Sequence, residues 1–167
     1  GVPVVLGGGM TIAINSYKQL PDHLILHTNG AVFRQQSTMG RYPVLGFGNH
    51  PTVVGGLHVR TLGGDACQGV LLNGSDNAKI DYVDVRADSP GAGRANIRDN
   101  GLRIVNSTDV RIERVYVENY SWPVWAESSG WLRFGWVEAY SYAKAVHLDG
   151  CSHVQIQGGH VYGTAPN

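Results

Sequence analysis

The chain has 167 residues, which is enough for one domain with a sizeable core. Its formal net charge is zero and its pI is about 7.2, which argues against a general nucleic-acid-binding protein, because such proteins carry a basic field. Glycine accounts for 23 residues, charged residues make up only 16%, and no apolar run is long enough to span a membrane, so we expect a globular domain of short strands and tight turns.

The first 42 residues predict one or two less regular turns of structure. Residues 11–14 and 24–33 alternate apolar and polar side chains, which is typical of strands, and residues 16–20 predict a helical turn at most. No amphipathic helix is evident that could cover the first turn, and the chain stops just after a complete repeat. We therefore expect both ends to be open, and the chain to be part of a longer protein or to have its ends covered by another element.

From residue 43 onwards the chain repeats one outline five times. The 17-residue units align without gaps, and they are PVLGFGNHPTVVGGLHV (43–59), GVLLNGSDNAKIDYVDV (69–85), GLRIVNSTDVRIERVYV (101–117), PVWAESSGWLRFGWVEA (123–139) and AVHLDGCSHVQIQGGHV (145–161). Positions 2, 4, 10, 12, 15 and 17 of the units are mostly apolar. Each unit therefore predicts three short strand segments with one face inward, a small polar turn after the first, and a two-residue corner before the last.

No unit can bury its inner face alone, so the units are predicted to stack about 4.8 Å apart around a continuous apolar core. This predicts an all-β fold, a parallel β-helix of about five to seven turns, with one unit per turn and regular turns over residues 43–163 of a single domain, 1–167. A β-sandwich is the alternative for short alternating strands, but its strands rarely repeat without gaps over a whole unit.

Segments such as GLRIVNSTDVRIERVYVEN (101–119) and LPDHLILHTNGAVFRQ (20–35) resemble the pectate-lyase-like superfamily of right-handed parallel β-helices. The resemblance covers residues 20–163 and implies a right-handed solenoid. It also implies a choice among polysaccharide lyases, glycoside hydrolases, epimerases and phage tailspike depolymerases, because it lies at the level of the fold. The sequence motifs of polygalacturonases and alginate epimerases are missing. The chain is most similar to tailspike and bacterial depolymerase domains, which implies an extracellular or virion location.

Outward side chains at one position of every unit should form a column along the solenoid. Position 3 gives Leu45, Leu71, Arg103, Trp125 and His147, and position 5 gives Phe47, Asn73, Val105, Glu127 and Asp149. Glu127 and Asp149 are candidate catalytic carboxylates on adjacent turns, and His147 is a third catalytic candidate. Arg103 could hold a uronate or a pair of hydroxyls, and an exposed Trp125 could stack on a sugar ring. The competing interpretation is a solvated polar face, which every soluble solenoid needs.

The loops after position 17 border this first strand. The longest, residues 86–100, carries Arg98, and the next two, residues 118–122 and 140–144, offer Tyr120, Tyr142 and Lys144. Together with Asn73, these four residues are candidate substrate-binding groups, because long loops on solenoids tend to decorate the binding face.

The leading hypothesis is the binding and depolymerisation of a bacterial surface or extracellular polysaccharide. Cleavage could be hydrolysis by Glu127 and Asp149, or β-elimination with His147, a tyrosine or Lys144 as base and Arg103 neutralising a uronate. The alternatives are a non-catalytic glycan-binding or adhesin module and a structural spacer in a fibre. The polysaccharide is the expected partner, and neither a cofactor nor a metal is expected.

A second outer face offers other interpretations. Position 11 gives Lys79, Arg111, Arg133 and Gln155, and position 16 gives His58, Asp84, Tyr116, Glu138 and His160. This face could be a contact within a homotrimer, an alternative glycan groove or a solvated surface. Cys67 and Cys151 lie three turns apart, so both are predicted to be unpaired thiols.

Overall fold

The computed structural model describes residues 3–39, 42–63, 68–89, 99–141 and 144–163. These ranges contain strands and turns without any helix, and so no helix able to cross a membrane. In chain order the strands are β1 (Pro3–Val5), β2 (Thr11–Ile14), β3 (Lys18–Leu20), β4 (Ile25–His27), β5 (Val32–Gln35), β6 (Pro43–Phe47), β7 (Thr52–Thr61), β8 (Gln68–Asn73), β9 (Lys79–Ala87), β10 (Asn100–Val105), β11 (Arg111–Tyr120), β12 (Trp122–Glu127), β13 (Gly130–Ser141), β14 (Val146–Asp149) and β15 (Ser152–Gly163).

The strands form two sheets that wind around one core, and every pairing within them is parallel. Sheet A has the order β1-β4-β7-β9-β11-β13-β15, with β2 and β5 paired beside it. Sheet B has the order β14-β12-β10-β8-β6-β3. Successive strands of each sheet come from successive passes of the chain, so the fold is a parallel β-solenoid of six turns, counted on sheet B. The all-β solenoid prediction is confirmed, and the right-handed sense stays a prediction.

Inward positions stack into apolar columns, as the alternation predicts. In sheet B, Val70, Leu102 and Val124 are paired neighbours and are fully buried. In sheet A, Val83 and Val115 are paired in the same way and are equally buried. Burying such a side chain contributes about 1.5–3 kcal/mol, so the columns supply the main stabilisation of a fold whose single turns are unstable.

The first unit is out of register with the others by one residue. Leu45 pairs with Val70 and Phe47 with Leu72, so both side chains point inward and are buried, and the prediction that they face outward is wrong. Gly46 takes the outward place instead. A Cβ there would collide with the Tyr17 hydroxyl, which covers this position.

A β-bulge in β7 restores the common register. Thr52 and Val53 pair one residue early with β9, and the pairing shifts before Gly56. Gly55 absorbs the extra residue with a φ of 85°, in the left-handed region that glycine enters without steric cost. An alignment without gaps cannot show these changes. Between paired positions, the turn after β6 is two residues shorter than the turn after β8, which reverses the sense of the shift, and the extra residue in β7 then returns the pairing to the common register.

The predicted helical turn at residues 16–20 is also wrong. Lys18–Leu20 forms β3, which pairs with β6 and adds a sixth strand to sheet B. The reason is tertiary: the unpaired edge of β6 offers backbone partners that an isolated helical turn lacks.

The polar turn after each sheet B strand is held by a ladder of small side chains. The Ser107 hydroxyl accepts a hydrogen bond from the backbone N–H of Ser75 (3.0 Å) and donates one to the Val105 carbonyl (2.8 Å). Ser129 repeats both contacts one turn later, with Ser107 N–H and the Glu127 carbonyl. These residues therefore satisfy the backbone of the neighbouring turn as well as their own.

A second ladder runs beside the first, one residue further along the turn. Asp22 accepts from the backbone N–H of Asn49 (2.7 Å), Asn49 from that of Asp76 (3.0 Å), and Asp76 from that of Thr108 (2.8 Å). Both ladders explain why the units keep small polar residues here, since each one pairs an N–H that would otherwise lack a partner.

Cys151 continues the serine ladder at the last turn, with its Sγ 3.5 Å from the Asp149 carbonyl oxygen. It is a free thiol of intermediate exposure. Cys67 lies outside the described residues, so its unpaired state stays a prediction.

Candidate functional site

The outer face of sheet B carries the predicted site, and the register places its residues as predicted from the second unit onward. Arg103, Trp125 and His147 are paired neighbours in one column. Glu127 and Asp149 are paired neighbours in the next column, two residues further along their strands. These five residues form the sheet B site.

An ion pair links the two columns. Arg103 Nη2 lies 3.1 Å from Glu127 Oε2, and both side chains are about one-third exposed. Asp149 is exposed on the neighbouring strand and forms no ion pair with any residue of the described ranges. Two carboxylates thus sit on adjacent strands, one held by a guanidinium and the other free.

An aromatic cluster occupies the other half of the sheet B site. The ring of Trp125 lies 4.1 Å from that of His147 and 5.0 Å from that of Trp122, and Lys144 Nζ lies 5.2 Å from the centre of the Trp122 ring. Only 9% of Trp125 is exposed. The prediction that Trp125 is an exposed stacking surface is therefore wrong, because its neighbours cover the ring.

Sequence reasoning placed Trp122 in a loop and assigned no role to Asn100. The two residues pair across β10 and β12 and are both buried. Trp122 is three residues from Trp125, a spacing that puts side chains on opposite faces of a straight strand. Their contact shows that the strand bends at its start, which the sequence pattern does not reveal.

Within the part of the chain that the structure describes, buried hydrogen-bonding atoms without a protein partner are concentrated here. They are Nδ2 and Oδ1 of Asn100, Nε of Arg103, and the indole Nε1 atoms of Trp122 and Trp125. Buried polar groups nearly always find partners, so a group of orphans along two paired strands marks a polar site rather than ordinary core. Four of the five atoms are hydrogen-bond donors, which suits a ligand or ordered water rich in oxygen acceptors.

The remaining predicted residues are scattered. Asn73 is exposed on β8, in the column of Glu127 but two strands away. Lys144 is exposed beside the aromatic cluster. Tyr120 ends strand β11 and is fully buried, with its hydroxyl 2.6 Å from that of Thr61, so its assignment to a surface loop is wrong. Arg98 and Tyr142 lie outside the described residues.

The outer face of sheet A contains a charged cluster around Asp84. Its carboxylate lies 2.8 Å from both Arg60 and Arg86 and 3.0 Å from His58 Nδ1, and the residue is 2% exposed. Burial alone would raise the pKa of Asp84, but the hydrogen bonds from Arg60, Arg86 and His58 outweigh it and lower the pKa. This arrangement is typical of a structural network, because the buried carboxylate is paired with two guanidinium groups.

Tyr116 lies in the same column as Asp84. Tyr140 and Tyr162 lie in the next column, which also contains Glu118. Tyr140 packs between Tyr116 and Tyr162, with ring centres 5.6 and 4.5 Å away, and the Arg86 guanidinium lies 4.3 Å above Tyr116. Burial and the hydrogen bond to Glu118 raise the pKa of Tyr116 far above its usual value. Tyr116 therefore stays protonated at every physiological pH and is unsuited to act as a general base.

Among the described residues, no three histidine, cysteine or carboxylate side chains cluster in a way that could hold a metal ion. Comparisons of the chain with protein-family models, with curated proteins and with solved structures return no match. The chain is therefore identified by its architecture, an all-β parallel solenoid, and the function rests on its own residues.

Proposed function

We propose that this chain binds a polysaccharide of the bacterial surface or extracellular matrix across the sheet B site and hydrolyses it with Glu127 and Asp149. The observation that supports the proposal best is the pairing of these two residues on adjacent strands. Backbones at that spacing are about 4.8 Å apart, and carboxyl groups about 5–9 Å apart serve glycoside hydrolysis with either stereochemical outcome.

Arg103 gives the two carboxylates different roles. It donates to Glu127 and orients that carboxylate, which suits a base or nucleophile. Asp149 forms no ion pair with any described residue, so it is the carboxyl group that remains to protonate the leaving oxygen. Hydrolysis is favoured over elimination, because Glu127 already partly neutralises Arg103 and because the two carboxylates are paired on adjacent strands.

The neighbours of the carboxylates supply binding groups. Lys144 and His147 lie beside the buried tryptophans, and Asn73 extends the carboxylate column by two strands. A polymer that follows these columns would run across the strands, along the solenoid axis, and contact successive turns at a regular spacing.

Polysaccharide digestion tests this proposal. Wild-type chain should release reducing ends from at least one member of a panel of capsular, O-antigen and matrix polysaccharides. Glu127→Gln should lower turnover by about 10²–10⁴-fold, because it removes a base or nucleophile while keeping the shape of the side chain. Asp149→Asn should act in the same direction, and neither variant should shift the melting temperature by more than a few degrees.

Glu138→Gln is the matched control, since Glu138 is a partly buried glutamate on sheet A that also faces an arginine, Arg114. It should leave turnover unchanged. Cleavage that survives both Glu127→Gln and Asp149→Asn would contradict the proposed site. Products that absorb as unsaturated uronates would contradict hydrolysis. A panel that is bound but never cut would favour the non-catalytic glycan-binding alternative.

A further inference from the structure

Sheet A carries a second groove, separate from the sheet B site. It lies where β11, β13 and β15 run side by side, and Arg111, Arg133 and Gln155 form its central column, one residue from each strand. Glu113, Gly135 and Gln157, two residues further along the same strands, form its far wall. These six residues line the sheet A groove.

Gly135 keeps the sheet A groove open. It stands between Glu113 and Gln157 and has no side chain, which leaves a notch in the wall. A Cβ at this position would collide with the Glu113 backbone oxygen, so no other residue fits without a backbone shift. The close packing of the backbone at Gly135 against Glu113 therefore requires the notch.

The sheet A groove contains one cation, Arg133, that has no ion-pair partner among the described residues. Arg111 on the neighbouring strand, by contrast, forms an ion pair with Asp109, with 3.2 Å between Nε and Oδ1. Gln155 and Gln157 add amides that can donate and accept hydrogen bonds. Together these groups match an acidic substituent flanked by hydroxyls.

An independent feature borders the groove. Trp131, two residues before Arg133, is 49% exposed, and its ring lies flat on that of His153, 4.1 Å away and tilted by 8°. Its φ is 53°, in the left-handed region where a bulky residue is an outlier. Asn77 and Asp109 take the same conformation in the two preceding turns, and such residues tolerate it. His153 in the following turn takes the same conformation, with a φ of 52°, so the backbone conformation belongs to the corner, and the distinguishing feature of Trp131 is its exposed indole.

We propose that the sheet A groove binds an acidic glycan, with a sugar ring stacked on Trp131 and its carboxylate or sulfate on Arg133. The flat indole provides the apolar surface that a pyranose face needs, and Arg133 provides the charge. The site is independent of the proposed hydrolysis, because it uses the other sheet and none of the residues of the sheet B site.

Titration calorimetry with alginate, hyaluronan and chondroitin sulfate oligosaccharides tests the proposal, with dextran oligosaccharides as the neutral comparison. At least one acidic oligosaccharide should bind, and dextran should bind at least tenfold more weakly. Arg133→Gln should weaken binding at least tenfold. Lys79→Gln is the matched control, since Lys79 carries the same charge in the same column but does not line the groove, and it should change affinity less than twofold.

Trp131→Asn separates a binding role from a structural one. Asparagine accepts the left-handed backbone, as Asn77 does, so the variant should melt within a few degrees of wild type and still lose at least tenfold in affinity. The proposal would be overturned if no acidic oligosaccharide bound. It would also be overturned if Trp131→Asn and Arg133→Gln bound the oligosaccharide with the affinity of the wild type. Binding that is lost in Glu127→Gln would also overturn it, by placing the oligosaccharide on the sheet B site.

Discussion

Single residues in this chain act mainly by the partners they find on neighbouring turns. Asp84 shows this most clearly. By alternation it points outward, yet two arginines and a histidine from its own and the preceding strand surround it and leave it 2% exposed. Removing one member of a buried charge network leaves the others uncompensated, which costs more than the network contributes as a whole.

Asp84→Asn should lower the free energy of unfolding by about 3 kcal/mol near neutral pH, because Arg60 and Arg86 would lose their counter-ion. The pKa of Asp84 is lowered in the folded state relative to about 3.9 in the unfolded chain, so its stabilisation is fully present above about pH 4 and is lost as the pH falls through the folded-state pKa. Urea unfolding of the wild type and of Asp84→Asn, from neutral pH down to about pH 2, measures the free energy of unfolding of each. The difference between the two free energies should shrink below about pH 4.

Asp88→Asn is the control for this measurement. Asp88 pairs with Arg34 at 2.7 Å, but both side chains are more than 40% exposed. Solvent screens such a pair, so its loss should cost at most about 1 kcal/mol. Equal effects of the two substitutions would show that burial of the Asp84 network adds nothing to stability.

At the scale of the element, the polar turns decide how well successive strands stay in register. The serine ladder joins each turn to the next by a side-chain hydroxyl that accepts a backbone N–H. Apolar columns alone would tolerate small sliding between turns, because the hydrophobic effect has no direction. The directional contacts of the ladder make the stacking specific.

Ser107→Ala should lower the free energy of unfolding by about 1–3 kcal/mol, because it leaves the buried N–H of Ser75 without a partner. Chemical denaturation measures the change. Ser107→Cys should recover part of the loss, since Cys151 occupies the same ladder position in the last turn. Ser152→Ala, on an exposed serine, should change stability by less than about 0.5 kcal/mol.

For the whole molecule, stability is a sum over neighbouring turns. Strands β12 and β13 each have a paired strand on both sides, and their inward residues are buried. Among the described strands, β14 is paired only with β12, and β15 only with β13. Leu148, Ile156 and Val161 are therefore 41%, 42% and 62% exposed. A solenoid with nearest-neighbour coupling opens first where a turn has one neighbour.

Hydrogen exchange of the 167-residue chain should show this gradient. The amides of β10 and β12 should be the most protected in sheet B, and those of β14 should exchange at least tenfold faster, since they open without disturbing a second interface. Equal protection of β12 and β14 would contradict independent opening of the last turn and would show that the chain unfolds as one cooperative unit.

The solenoid architecture, and which outward residues share a column on sheet B, could be predicted from the sequence. Period-2 alternation specifies which residues face inward, and repetition of the pattern specifies that the turns stack. The columns that contain Arg103 and Glu127 therefore follow from the position of each residue in its repeat unit. The first unit escaped this reasoning, because its shorter polar turn and the bulge at Gly55 together hide the one-residue shift that Leu45 and Phe47 show when paired with β8.

The exposure of the outward residues could not be predicted from the sequence. Alternation gives the side of the sheet to which a residue points, but exposure depends on what neighbouring turns place above it. Trp125 is covered by Trp122 and His147, which come from a strand bend and from the next turn, and Asp84 is covered in the same way by arginines. Trp131 stays uncovered at a corner, because the side chain beside it in the next turn, His153, stacks on one face of its ring and leaves the other open.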